Sequence, residues 1–335
     1  VISRASRKFS QHGSCFAKLM TEKIAFLFPG QGSQEVGMGQ ALAEAIPAAQ
    51  AVFAQADEIL GFPLSRLCFT GPEETLNDTI NTQAAIFITS VAALQALRSA
   101  GFDVTPAFVA GHSLGEYSAY VAAGVISFEA GLRLVRERGR LMKQAGEQNP
   151  GGMAALVRLD DETVIDICQT VTAAGEFGTL QVANYNSQGQ VVISGHNAAV
   201  DRGIELAQAA KARMAVRLPV SIAAHSELMR VIADEFRAAV DQTPLALPEM
   251  PIIANITATP LESIEAIRAE MEGQLTSSVQ WTRTIEGLIA QGVSTFVEIG
   301  PKNVLAGLNK RIDKSVKSYS VGVPADIESV IGLNS

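Results

Sequence analysis

A serine set between two glycines, in Gly111-His-Ser-Leu-Gly115, is the place in this 335-residue chain where residue types and spacing imply covalent chemistry. In a G-x-S-x-G turn the glycines let a short strand reverse sharply into a helix, which lifts the serine hydroxyl above the sheet as a nucleophile. An apolar strand precedes this copy and a helix follows it, as the turn requires. Ser113-x-x-Glu116 also has the spacing of a capping box, in which both side chains merely satisfy free N–H groups at a helix start. Capping accounts for Ser113 and Glu116 but not for the flanking glycines, so Ser113 is read as the nucleophile and Glu116 as a cap.

A serine needs a general base near neutral pH, and the chain has four histidines. His12 lies in a basic leader, and His112 adjoins the serine, where neighbouring side chains point apart. His196 sits at the rim of a smaller unit and reads as an ordinary loop residue. His225 remains. It follows a strand ending near Ser221 and opens a helix starting at Ser226, where the helix N-terminus favours the neutral imidazole a base needs. In α/β-hydrolases the acid and then the histidine follow the serine late in the chain. Here about a third of the chain follows the last histidine, which weakens a plain hydrolase reading.

The helix after Ser127 carries Arg133, Arg136, Arg138 and Arg140. At about 100° per residue, Arg138 lies roughly 140–160° from the other three and shares a face with Gly131, Leu134, Val135 and Leu141. Three arginines therefore face solvent and one faces inward. A buried guanidinium needs an anion, either an internal carboxylate or a substrate carboxylate gripped by its planar fork.

The elements that position these residues alternate between strand and helix, the pattern of an α/β fold with a mainly parallel sheet. Strands are expected at 24–28, 107–110, 251–256, 295–299 and 316–321, and helices at 82–100, from 115 to about 123, and at 226–241. Between 151 and 221 the order becomes β-α-β-β-α-β, that of a ferredoxin-like unit. The expected organisation is a leader or tag at 1–20 outside the fold, a large catalytic α/β domain from 21–150 and 222–335, and a ferredoxin-like small domain at 151–221.

Composition narrows the function classes. The net charge of −8 provides no basic field for a phosphate backbone, so nucleic acid is not an expected partner. The longest apolar tract, 84–97, is interrupted by polar residues and falls short of the roughly 20 residues that span a bilayer. Cys15, Cys68 and Cys168 are scattered and odd in number, with no metal-ligand or redox spacing, so no metal is expected and a reducing cytoplasm is. Residues 1–20 are basic and free of acid, the composition of an organelle transit peptide or of an upstream leader.

Ordered motifs join these residues: Phe28-Pro-Gly-Gln-Gly-Ser-Gln34, Gly111-His-Ser-Leu-Gly-Glu-Tyr117, Arg138-Gly139, Asn184-Tyr-Asn-Ser187, Gly189-Gln-Val-Val-Ile-Ser-Gly195, His225, Val279-Gln-Trp281 and Glu298-Ile-Gly-Pro301. Together they resemble the malonyl-CoA:acyl carrier protein transacylases and the related acyltransferase domains of fatty acid and polyketide synthases, from about Lys23 to the C-terminal region. The resemblance implies a hydrolase-like core with a ferredoxin-like insertion. It implies Ser113 as nucleophile, His225 as base, Gln31 and Leu114 as backbone donors of an oxyanion hole, and Arg138 as ligand of the malonyl carboxylate. It further implies that the backbone carbonyl of Gln280 orients His225 in place of a triad acid, and that Gln83 and Asn184 line the pocket. Leu114 after the serine leans toward malonyl. Ala223-Ala224 before His225, Ser278, Ala84 and Gln188 depart from the residues usual in that family, the first pair at a position that shapes the acyl pocket.

The expected reaction is a ping-pong transfer of malonyl from malonyl-CoA to the phosphopantetheine thiol of an acyl carrier protein, with no cofactor. A polyketide-pathway acyltransferase with another extender unit, a serine esterase or thioesterase, and a non-catalytic carrier-protein docking module are the alternatives.

Overall fold

A computed structural model describes residues 22–334; the expectations for the leader, His12 and Cys15 lie outside the described residues. Among the described residues, nine strands form two sheets. The first is parallel and contains β1 (Lys23–Phe28), β2 (Phe108–Gly111), β7 (Ile252–Ile253), β8 (Val293–Ile299) and β9 (Lys317–Val321), in the order β7-β2-β1-β8-β9. The second is antiparallel and contains β3 (Gly151–Val157), β4 (Leu180–Ser187), β5 (Gln190–His196) and β6 (Met214–Arg217), in the order β4-β5-β3-β6. With helices Asp161–Ala174 and Asn197–Ala209 between its strands, this second sheet has the expected ferredoxin-like topology.

β1 is central and buried on both faces, which is why it reads as an unbroken apolar run. Ile24, Phe26 and Phe28 face one core with helices Thr79–Ser99 and Phe128–Gln148, while Ala25 and Leu27 face another with Trp281–Ala290 and Val304–Ile312. Helix Thr79–Ser99 is long and apolar enough to cross a bilayer, but 83% of its apolar window is buried inside the molecule, so it is a core helix. The antiparallel sheet has its own core around Leu156, Val191 and Ile193, and its other face lends Met153, Ala183 and Val192 to the main one.

Two expectations were displaced. The helix expected at 226–241 begins as a 3-10 segment, Glu227–Ile232, and continues as the α-helix Ala233–Asp241. The strand expected at 251–256 is only Ile252–Ile253, after which the chain turns inward through Asn255.

Candidate active site

Because β1, β2 and β7 run parallel, with Phe28 opposite Gly111 and Ala110 opposite Ile253, the loops after all three strands emerge at one edge of the sheet. Sites of α/β sheets form at this carboxyl edge. The loops are tightly packed: His112 N–H donates to Phe28 O at 3.0 Å, and a Cβ on Gly30 would sit 2.3 Å from His112 O. Gln31 is thereby held alongside the Ser113 turn.

Ser113 has φ +52, a left-handed conformation that costs a non-glycine residue free energy and marks the strained elbow. Both glycines are required by contact. A Cβ on Gly111 would lie 2.0 Å from the carbonyl carbon of Gly115, and one on Gly115 would lie 2.0 Å from Phe28 O. The capping expectation for Glu116 is corrected here. The helix Gly115–Ala122 has Leu114 as N-cap with no side-chain cap, and the buried Glu116 carboxylate accepts from Asn255 N at 3.0 Å and Gln274 Nε2 at 2.5 Å. The turn is fixed instead by Asn255, whose Oδ1 accepts from Ser113 N at 2.8 Å while its Nδ2 donates to Gly111 O at 2.8 Å.

His225 also has a positive φ, +57, and its Nε2 is 2.8 Å from Ser113 Oγ. Its Nδ1 lies 2.8 Å from Gln274 O and 3.1 Å from Ser277 O. Peptide carbonyls only accept, so Nδ1 carries the proton and the Nε2 lone pair faces the serine hydroxyl. The carbonyl expected in this role, that of Gln280, instead accepts from Thr284 N at 2.9 Å as the first turn of helix Trp281–Ala290 forms. Burial, and then the charge of Arg138, lower the His225 pKa from 6.5 to about 3 against the opposing pull of the two carbonyls. Gln181 ties the small sheet to this segment, its Nε2 donating to His225 O at 3.0 Å and to Thr276 O at 3.2 Å.

Arg138 is 1% exposed, as its place on the helix face required. Of the other three arginines, Arg133 is exposed and paired with Glu129, whereas Arg136 and Arg140 are half-buried. Arg138 Nη1 donates to Gln83 Oε1 at 2.7 Å, and Nη2 donates to Gln274 Oε1 at 2.8 Å and to Ser113 Oγ at 3.2 Å. Its Nε has no hydrogen-bond partner, and among the described residues no carboxylate forms an ion pair with it. A buried guanidinium met by two amide oxygens, a hydroxyl and the Tyr117 ring, all uncharged, is poised for an anionic ligand beside the serine.

Gln83 therefore joins the site as the holder of Arg138, and its Nε2 contacts Met142 Sδ at 3.1 Å. Asn184 is buried in β4 and bridges to Val279, where the small sheet meets the chain entering helix Trp281–Ala290. His112 turns away to Asn186 Oδ1 at 2.8 Å, and His196 Nδ1 accepts from Thr179 N at 3.0 Å, so both have the structural environments expected of them. Asn255, Gln274, Ser277 and Glu270 were not among the expected site residues. Asn255 was hidden because the strand was expected to run through 256, whereas β7 ends at Ile253; Gln274, at the end of helix Ile264–Gly273, carries no local signal.

Glu270 lies behind Glu116 and accepts from Ile256 N at 3.0 Å. Burial raises Glu270 from 4.5 to about 7, and burial together with the Glu270 charge pushes Glu116 upward as well. A negative charge on Glu270 thus opposes ionisation of Glu116. Both Glu116 oxygens accept N–H groups, which favours its ionised form against that opposition.

Residues 25–328 match the acyl transferase domain family. The chain is 43% identical over 309 residues to the malonyl CoA-acyl carrier protein transacylase of Bacillus subtilis, covering 92% of this chain and 96% of that protein. It is 40% identical over 311 residues to the protein of the same name from Escherichia coli, covering 93% and 99%. Among solved structures, the Coxiella burnetii malonyl CoA-acyl carrier protein transacylase superposes with a TM-score of 0.90 at 36% identity, covering 94% of this chain and 98% of that one. A malonyl-transacylase solved in complex with its type II PKS acyl-carrier protein superposes at 0.89 with 39% identity, covering 92% and 99%. With the family match spanning nearly the whole described chain, and the strained serine, its histidine and the buried arginine all converging at the sheet edge, the chain belongs to the acyl transferase domain family.

Proposed function

We propose that this chain transfers a malonyl group from malonyl-CoA to the phosphopantetheine thiol of an acyl carrier protein, through an ester on Ser113. The observation that carries the acyl group's identity is Arg138, buried without a carboxylate partner among the described residues and 3.2 Å from Ser113 Oγ. A malonyl thioester supplies the missing anion at one end and the reacting carbonyl at the other. The relatives named for malonyl CoA and acyl carrier protein support the same donor and acceptor.

In the first half-reaction Ser113 Oγ attacks the thioester carbonyl as His225 Nε2 takes its proton. The tetrahedral oxyanion is met by the backbone N–H groups of Leu114 and Gln31. Leu114 stands at a helix start, where N–H groups lack intrahelical partners, and Gln31 is held there by the Gly30–His112 contact. The carbon–sulfur bond then breaks, and His225 returns the proton to the coenzyme A thiolate. In the second half-reaction His225 takes the proton of the carrier thiol, the thiol sulfur attacks the Ser113 ester carbonyl, the carbon–oxygen bond to Ser113 breaks, and His225 returns the proton to Ser113 Oγ. Asn184, at the junction of the two sheets, would line the acyl pocket. Ala223 and Ala224 are buried just before His225, with Ala223 packed against Gly151, so small side chains fit there.

Intact-mass measurement tests this directly. Incubation with malonyl-CoA should add one malonyl unit, Ser113→Ala should abolish the adduct, and holo carrier protein should remove it. Loss of the adduct in buffer alone at the same rate would instead identify a hydrolase.

A further inference from the structure

Glu116 is a buried carboxyl group with no cation bonded to it among the described residues, and it holds two other residues in place. Its Oε1 accepts from Asn255 N and its Oε2 from Gln274 Nε2. The same Gln274 Nε2 donates to Ser113 O at 3.1 Å, and Gln274 Oε1 accepts from Arg138 Nη2 at 2.8 Å. A guanidinium only donates and a peptide carbonyl only accepts, so the Gln274 amide must present oxygen to Arg138 and nitrogen to Ser113 O and Glu116.

We propose that Glu116, which touches no reacting atom, is a positioning residue for acyl-group selectivity: it locks the Gln274 amide with its oxygen toward Arg138 and so aims the guanidinium at the substrate carboxylate. This rests on the reading of Arg138 as the malonyl ligand. Only a group accepting at both ends completes the arrangement. A carboxamide at 116 places its NH₂ against Gln274 Nε2 or, turned over, against Asn255 N–H. If Gln274 turns over instead, its NH₂ meets Arg138, and donor opposes donor in every case. Reaching Arg138 through an amide also keeps a direct ion pair out of the fork that a ligand carboxylate requires, and Arg138 Nε has no hydrogen-bond partner.

The test compares initial rates of Ser113 acylation by malonyl-CoA and acetyl-CoA, by intact mass, in the full chain and in Glu116→Gln, Arg138→Ala and the double variant. Glu116→Gln should lower the malonyl-to-acetyl ratio about tenfold, the scale of one unmade buried hydrogen bond to a charged group. Adding it to Arg138→Ala should change the ratio no further. An unchanged ratio in Glu116→Gln, or a further fall in the double variant, overturns the inference while leaving the malonyl reading intact. An unchanged ratio in Arg138→Ala overturns the malonyl reading and the inference with it. Thermal unfolding and fluorophosphonate labelling of Ser113 report folding. Should Glu116→Gln not fold, Gln274→Met breaks the relay from its other end and must give the same fall, and an unchanged ratio there overturns the inference equally.

Discussion

Arg138 Nη2 stands 3.2 Å from Ser113 Oγ, so the proposed anion-binding group and the proposed nucleophile are neighbours rather than opposite walls of a pocket. A three-carbon diacid thioester is short enough to reach both. The guanidinium makes three bonds in one plane-directed arrangement, to Gln83, Gln274 and Ser113, which a lysine ammonium cannot reproduce. Arg138→Lys is therefore expected to lower malonyl loading roughly 100-fold despite keeping the charge. Stopped-time mass spectra of the acyl-enzyme check this, and near-normal loading would show that charge alone suffices.

Asn255 braces both sides of the elbow, accepting from Ser113 N and donating to Gly111 O. Asn255→Ala should relax the left-handed turn and slow acylation by malonyl and acetyl alike, by about tenfold or more, at a stability cost of about 1–3 kcal/mol. Rates for the two acyl-CoAs, measured beside urea unfolding, separate this from an effect on the carboxylate site. A change confined to malonyl would contradict it.

The flanking glycines should tolerate no methyl group. Gly115→Ala forces a carbon to within 2.0 Å of Phe28 O, a backbone atom of the central strand that cannot rotate away. The expected cost is about 3 kcal/mol or more, visible as a lowered melting temperature and loss of soluble protein. A variant of unchanged melting temperature would mean that the elbow is looser than its contacts indicate.

Holding His225 neutral has a consequence for acid stability. Its pKa falls from 6.5 to about 3 on folding, so between these values the unfolded chain binds a proton that the folded chain does not. This contribution is complete above pH 6.5 and is lost as pH falls toward 3; at pH 5 the loss is about 2 kcal/mol. His225→Asn should therefore lose less stability than the unsubstituted chain between pH 7.5 and pH 5, as read by urea unfolding. Equal losses would place the folded pKa near its ordinary value.

What the sequence disclosed follows from how local each signal is. The α/β class, the ferredoxin-like unit and the inward Arg138 are written in apolar periodicity, and each was legible. The pairing of Ser113 with His225 was legible because glycine spacing and histidine scarcity left few choices. Gln274 was not, since its role depends on where helix Ile264–Gly273 ends in space, far in sequence from every residue it touches. The Gln280 expectation failed for the same reason: its carbonyl is consumed by its own helix, and only the tertiary path of 274–277 reveals the carbonyls that reach the imidazole. Glu116 was misjudged because a capping pattern is local, whereas its actual partners, Asn255 and Gln274, are more than a hundred residues away.

The imidazole of His225 is oriented by main-chain oxygens. No single side-chain replacement at Gln274 or Ser277 deletes those acceptors, so drift in side-chain identity there leaves the tautomer intact. Length is another matter: one residue gained or lost between 274 and 277 would swing both carbonyls away together. Residues 275–277 should accordingly vary in composition among working members of the family while Gln274, whose side chain bonds Arg138, and the spacing after it stay fixed, and an insertion there would mark a relative that has abandoned the chemistry.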